Sequence, residues 1–348
     1  MTFLCHQVKI GYERLQTLTD RFLLEYEKVK DVLPAQAGGD RTALRRLKRE
    51  LETAYQELEA KLIVSVAEAH ELLGDKYVFS PEEITNAFGF EIEESEIPDI
   101  PYSREELEKA KELEEQLILR VSHDGEGNPM TMKRINEIME TRMDPKTEGK
   151  LLCNTDWYKD EEFYKNDPFK TEWKLVGSSF VPDVSSSRDK EGKHTKDTRN
   201  NNYIHQTRLL REYLKSIGED ILTEEEEECS DRELQKLSEQ MGVAWDTQEI
   251  TDKKKCDKNW RDVSRQLAKL KINQNHRRSA TEILYDWVLM FKNLGKRGVL
   301  ENNNNEWSNT LLSSGGIVDI GEIDVEGANV GRWLSSDRSD YSGVCSSR

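Results

Sequence analysis

The sequence predicts an α+β protein, a helical N-terminal region followed by a domain built on a small antiparallel sheet. Two observations carry that expectation. Up to Lys296 the chain is rich in Lys and Glu, with apolar residues at helical spacing and helix starts such as Ser80-Pro-Glu-Glu83 and Ser279-Ala-Thr-Glu282. From Trp307 to Arg348, short β-branched runs alternate with Gly, Ser, Asn and Asp punctuation, which is the pattern of tight strands and turns. No Lys, Gln or Met follows Lys296, so this segment presents a different surface from the rest of the chain.

The chain has 348 residues, enough for two or three domains, and the expected divisions are 1–75, 76–150 and 151–348. Apolar residues make up 35% and charged ones 34%, so the core is lean and the helices well solvated. A net charge of −17 argues against a nucleic-acid or membrane-surface binder, which needs clustered Lys and Arg. No apolar run approaches the ~18 residues of a membrane span. Met1-Thr-Phe-Leu-Cys-His6 does not read as a secretory signal. Cys5, Cys153, Cys229, Cys256 and Cys345 have no short paired spacing and read as reduced thiols, for which a cytoplasmic location is the expectation.

Leu15, Leu18, Phe22, Val29 and Val32 give the first region a helical stripe, broken at Pro34-Ala-Gln-Ala-Gly-Gly39. Asp40 caps a longer helix whose stripe runs from Leu44 to Val66 and which Gly74 ends. Such a hairpin is either an oligomerising coiled coil, making a second copy of the chain a candidate partner, or a helical pair packed on its own domain. Residues 76–150 read as a helical module. Ser80 and Ser103 start helices, the second running to about Val121, and Thr131 caps one through Met143. Ile97-Pro-Asp-Ile-Pro101 must be extended.

From Leu151 aromatics concentrate: Trp157, Tyr158, Phe163, Tyr164, Phe169 and Trp173. They read as the core of a small β domain or as a ligand cage. Trp173 to Val176 reads as a strand. Residues 185–202 read as a polar surface loop, and Tyr203 to Ile217 as a helix. The run Glu224 to Glu228 lacks any coordination geometry and reads as a solvated face, partly balanced by Lys253-Lys-Lys255. Ser230 starts a short helix, and Asn259 to Lys271 is amphipathic. The most apolar helix follows Ser279 and stops at Gly295.

This order of strand, helix, helix and closing strands, with Trp307-Ser-Asn-Thr310, Ser314-Gly-Gly316, Gly321, Gly327, Trp333 and Gly343-Val-Cys-Ser-Ser-Arg348, resembles the C-type lectin fold. The variable proteins of diversity-generating retroelements are its nearest likeness. The resemblance covers about 151–348, with an apparent insertion at about 219–258. It implies that the first and last strands pair, here Trp173 to Val176 with Gly343 to Ser347. It also implies a non-enzymatic binding or display protein whose segment 307–348 forms a variable recognition face for a protein or other macromolecule. In that family randomised AAY codons cannot reach Glu, Gln, Lys, Met or Trp; from Ser308 onward only Glu322, Glu326 and Trp333 belong to that set. A Gly/Ser-rich β segment would be poor in Lys, Gln and Met for ordinary reasons too.

On this likeness the candidate variable positions are Asn309, Asp319, Asp324, Asn329, Arg332, Ser335, Asp337, Ser339, Asp340 and Tyr341, expected to be exposed on turns and strand ends. Such side chains suit adaptable recognition. Trp173, Trp307, Gly315, Gly316, Gly321, Gly327, Trp333 and Gly343 are the expected scaffold.

Residues of other chemistries are missing from the pattern. The six histidines are scattered, so neither a metal site nor a cofactor is expected. There is no phosphate-binding glycine loop or nucleophile elbow. Formylglycine-generating oxidases, which share the lectin-like fold, pair two cysteines with copper, whereas Cys345 stands alone. No Glu-Pro-Asn or Gln-Pro-Asp triplet for calcium-dependent sugar binding is present. The alternative reading is an enzyme using the cluster around Asp156, Trp157 and Glu161.

Overall fold

The computed structural model describes residues 64–219, 221–295, 304–324 and 326–348, with 322–324 described through the backbone. The hairpin expected before residue 64 lies outside the described residues. Helix α1 (Val66–Leu73) is followed by β1 (Val78–Phe79), α2 (Pro81–Phe88), α3 (Arg104–Glu112), β2 (Glu115–Arg120) and α4 (Met132–Arg142). Next come α5 (Glu162–Asn166), β3 (Glu172–Gly177), α6 (Tyr203–Ser216), α7 (Thr223–Glu228) and α8 (Asp231–Met241). The order closes with α9 (Lys253–Lys269), α10 (Lys271–His276), α11 (Ala280–Leu294), β4 (Asn305–Leu311), β5 (Ile317–Asp324), β6 (Gly327–Trp333) and β7 (Ser342–Gly343).

The chain forms two units, 1–75 with 99–112, and 76–98 with 113–348. In the first, α1 packs on α3 through Ala69, Leu73, Leu107 and Ala110. A capping box at Ser65 starts α1, so the stripe expected to run unbroken to Gly74 is interrupted there. Gly74 does end the helix, its N–H donating to the His70 carbonyl.

The second unit contains two small mixed sheets and the remaining helices. The first sheet has the order β1-β2-β3, with β1 parallel to β2 and β2 antiparallel to β3. Two expectations are corrected here. The helix opened at Ser103 ends at Glu112 rather than near Val121, because Glu115–Arg120 is a strand buried along its whole length. That strand pairs with β3 from Glu115↔Gly177 to Arg120↔Glu172, so the region 76–150 is not wholly helical and part of it shares a sheet with residues after 151.

The last residues run beside β3. Leu175 N–H donates to the Arg348 carbonyl at 3.0 Å, Arg348 N–H returns a bond at 2.9 Å, and Val176 faces Ser347 in an antiparallel bridge. The expected pairing of these two segments is therefore present as a bridge, not a full strand. On its other side Ser346 bridges Arg277. Inside this wedge the Arg348 guanidinium is held by Glu115 and Glu219.

The second sheet has the order β6-β5-β4-β7, antiparallel except where β7 runs parallel to β4. Alternation along β4 and β5 gives it two buried faces. Trp307 and Ile317 join a core with Tyr203, Leu210, Trp260 and Val263 from α6 and α9, while Val318 and Ile320 are buried on the other face. Helix α11 packs against β4 and β5, starts at the expected Ser279 capping box and stops at Gly295, φ 68°. The expected insertion at 219–258 supplies α7, α8 and the start of α9, and its Cys229, Leu234, Met241 and Cys256 sit in the core.

Two glycines allow the turns. Gly315, φ 88°, donates its N–H to the Leu312 carbonyl and closes the turn in which Leu312 N–H donates to the Gly316 carbonyl. Gly327, φ 111°, lies against the backbone of Leu152, where an added methyl would come within 2.6 Å.

Candidate functional site

The sequence-predicted positions divide by burial. Asp319 and Ser335 are fully buried, against the expectation that they are exposed. The register puts Asp319 opposite Trp307 and Gly331, on the same inner face as Ile317 and Trp333. Its Oδ2 accepts from Asn305 Nδ2 at 2.8 Å and Trp333 Nε1 at 2.7 Å, while Oδ1 has no partner. Burial pushes its carboxyl up to about 6 despite those donors. Ser335 anchors the following turn, its single hydroxyl proton within reach of either Met241 Sδ or Trp260 O and its carbonyl accepting from Tyr203 N.

Asn309 is part-buried and structural on one side, since its Nδ2 donates to the Asn273 and Arg277 carbonyls. Asn329 is part-buried opposite Gly321, and Asp324 ends β5 in register with Gly327. Asp337 is part-buried and accepts from Leu334 N at 2.9 Å; burial raises its carboxyl above the ordinary range.

The exposed candidates are Arg332, Asp340 and Tyr341, the last at 64%. They do not form one patch. Arg332 lies on edge strand β6, its guanidinium 5.9 Å from the centre of the Trp157 ring. Tyr341 precedes β7 at the opposite edge, three strand spacings (~14 Å) away. The turn carrying Asp340 and Tyr341 is fixed through its backbone: Asn200 N–H donates to the Ser339 carbonyl at 2.7 Å and Asn305 N–H to the Tyr341 carbonyl at 2.8 Å. The scaffold residues Trp173 and Trp307 are buried, and Trp333 is part-buried.

The cluster around Asp156 does not bring its carboxylates together. Asp156 is exposed and pairs with Lys159 at 3.1 Å, whereas Glu161 accepts from the Ser313 N–H and hydroxyl. Tyr158, Phe163, Tyr164 and Phe169 are buried as core, and Trp157 is 37% exposed. The acidic run is likewise less solvated than its pattern implies: Glu225 is buried, accepting from Asn275 Nδ2 at 2.5 Å. Lys215 and Lys271, rather than Lys253 to Lys255, pair with Glu226 and Glu224.

Two features escape the sequence reading. One is a buried ionic chain: Glu306 and Asp286 flank Arg278, and Asp286 with Glu282 flank Arg120. The only local hint is that Arg277-Arg278 abuts the Ser279 cap. Cys345, a free buried thiol raised well above its ordinary range by burial, adjoins Glu306 and Arg278.

The other feature is a cleft of about 670 Å³ between the 162–174 segment, α9, α10, the start of α11 and β4. Asp167 and Glu282 line it with Asn309, Thr310 and Ser347. Burial, with the nearby Glu282 carboxylate, pushes the Asp167 carboxyl up to about 6. Asn166-Asp167-Pro168 belongs to no motif, so nothing in the sequence marks it. Among the described residues no group of three or more His, Cys, Asp or Glu is placed to hold a metal ion, and no helix is long and apolar enough to cross a membrane.

Compared with models of known families, with curated proteins and with solved structures, the chain matches none of them.

Proposed function

We propose that the protein is a non-enzymatic binding protein whose recognition element is the turn Asp337–Tyr341, carried on the second sheet. The observation that supports this reading is the contrast between Tyr341, 64% exposed, and the strands behind it, buried on both faces. A stiff aromatic with adaptable Asp and Ser neighbours on a backbone-pinned turn suits recognition of a macromolecular surface. The helices of the 219–258 segment brace that turn through Met241 and through Arg338, whose Nη1 donates to the Thr247 carbonyl.

The proposal keeps the likeness to retroelement variable proteins but narrows the diversified set. Asn309, Asp319, Asp324 and Ser335 leave the set, while Asn329 and Arg332 on β6 and Asp337, Ser339, Asp340 and Tyr341 in the turn remain variable. Sequencing the DNA around the gene tests it. The expected result is a near-copy of the last ~100 bases that differs mainly at adenines, with the differences falling in codons of those six residues. A locus without such a copy, or with differences concentrated at Trp307, Asp319 and Ser335, defeats the reading.

A further inference from the structure

The cleft is independent of the proposed recognition turn, and its polar groups are unevenly satisfied. Glu282 is committed: Oε1 accepts from Arg120 at 2.5 Å and Oε2 from Ser279 N at 2.6 Å. Asp167, part-buried beside it, has neither a hydrogen bond nor an ion pair among the described residues. Ser347 lines the same cleft, is 3% exposed, and its hydroxyl has no partner. Asn309 spends both hydrogens of its amide nitrogen on carbonyls, leaving Oδ1 as an acceptor. The inner wall is therefore rich in unused acceptors around an uncompensated carboxylate. No cation pairs with Asp167 among the described residues.

The rim has the opposite character. Lys170, just before β3, and Lys269, at the end of α9, both line the cleft, are exposed and have no ion-pair partner among the described residues. Lys174 is engaged with Glu172 at 3.8 Å, Arg265 with Asp262 at 3.1 Å and Glu162 with Asn166 Nδ2 at 2.8 Å. The buried Arg277 guanidinium donates to Asn273, Gln206 and the Trp307 carbonyl and keeps Nη2 unpartnered. A cleft of about 670 Å³ has the size of a small-molecule site.

We infer that this cleft binds a small zwitterion, its ammonium or guanidinium group against Asp167 and Asn309 and its carboxylate against Lys170 and Lys269. The charge pattern sets the polarity of the ligand, since a pure anion would meet Asp167 and a pure cation would leave the two lysines unanswered.

Isothermal titration of the full chain at pH 7.5 tests this with three probes: L-arginine, agmatine, which lacks the carboxylate, and succinate, which lacks the cation. L-Arginine is expected to bind most tightly and succinate not at all. Asp167→Asn is expected to weaken both L-arginine and agmatine by about tenfold or more, the loss of a charge-assisted hydrogen bond. The double variant Lys170→Ala/Lys269→Ala is expected to weaken L-arginine several-fold and leave agmatine unchanged. Thermal unfolding of each variant, matching the parent, separates lost binding from lost structure. Binding of agmatine unaffected by Asp167→Asn, binding of succinate alone, or binding of none of the three overturns the assignment.

Discussion

The indole Nε1 of Trp333 donates to the carboxylate of Asp319 across the inner face of the second sheet, 2.7 Å apart. A charge thus sits where the alternation of β5 calls for an apolar residue, flanked by Ile317 and opposite Trp307. Because burial raises the Asp319 carboxyl from its ordinary value to about 6, the folded state holds its proton more tightly than the unfolded one. The stabilisation from that proton is complete below pH ~4 and is lost as pH rises through about 6, on the order of 2–3 kcal/mol.

Replacing Asp319 by Asn is expected to remove this dependence while keeping an oxygen for Asn305 and Trp333. Urea midpoints for the two proteins between pH 4.5 and 7.5 should diverge, with the variant gaining on its parent as pH rises. Parallel curves would show that Asp319 is not the titrating group.

Arg278 is fully buried between Glu306 and Asp286. Arg278→Met is expected to destabilise the fold by ~3–5 kcal/mol, because Glu306 is left buried and unpaired. Adding Glu306→Leu should recover much of that loss. The check is chemical denaturation of both variants; a double variant no more stable than the single one would contradict the pairing.

At Gly327 alanine meets two penalties, a φ of 111° and the Leu152 backbone at 2.6 Å. A loss of ~2 kcal/mol or more is expected, read as a lowered Tm. Gly192, also at positive φ but with open space around it, should lose less on the same substitution.

Tyr341→Ser and Arg332→Ala should each change stability by no more than about 0.5 kcal/mol, as expected for exposed side chains with few partners. A large loss for Tyr341→Ser would make it part of the framework and remove it from the proposed recognition turn.

Much of the architecture is legible where local rules are strong. The Ser80, Thr131 and Ser279 starts, the Gly74 and Gly295 stops, and the strand at Trp173 follow from capping and propensity alone. Glu115–Arg120 defeats that logic, since Glu115-Gln-Leu-Ile-Leu-Arg120 continues a Glu-rich helical pattern. Its charged ends become intelligible only when distant partners, Arg348 for Glu115 and Asp286 for Arg120, are in place. Asp319 and Asp167 misled or stayed silent for the same reason. A polar residue in a Gly/Ser-rich segment reads as surface, and burial by tertiary packing leaves no local signature.

The clasp between Glu115 and Arg348 spans 233 positions, so folding order matters for this chain. Helices early in the chain can form from local contacts, but this clasp closes only once the 343–348 segment docks beside β3. Before that docking the Glu115 carboxylate lacks its Arg348 partner and the slot beside β3 stays open. Folding that stalls before this docking leaves interior surface open to chaperones and proteases, so Arg348 acts as a late seal on the first sheet.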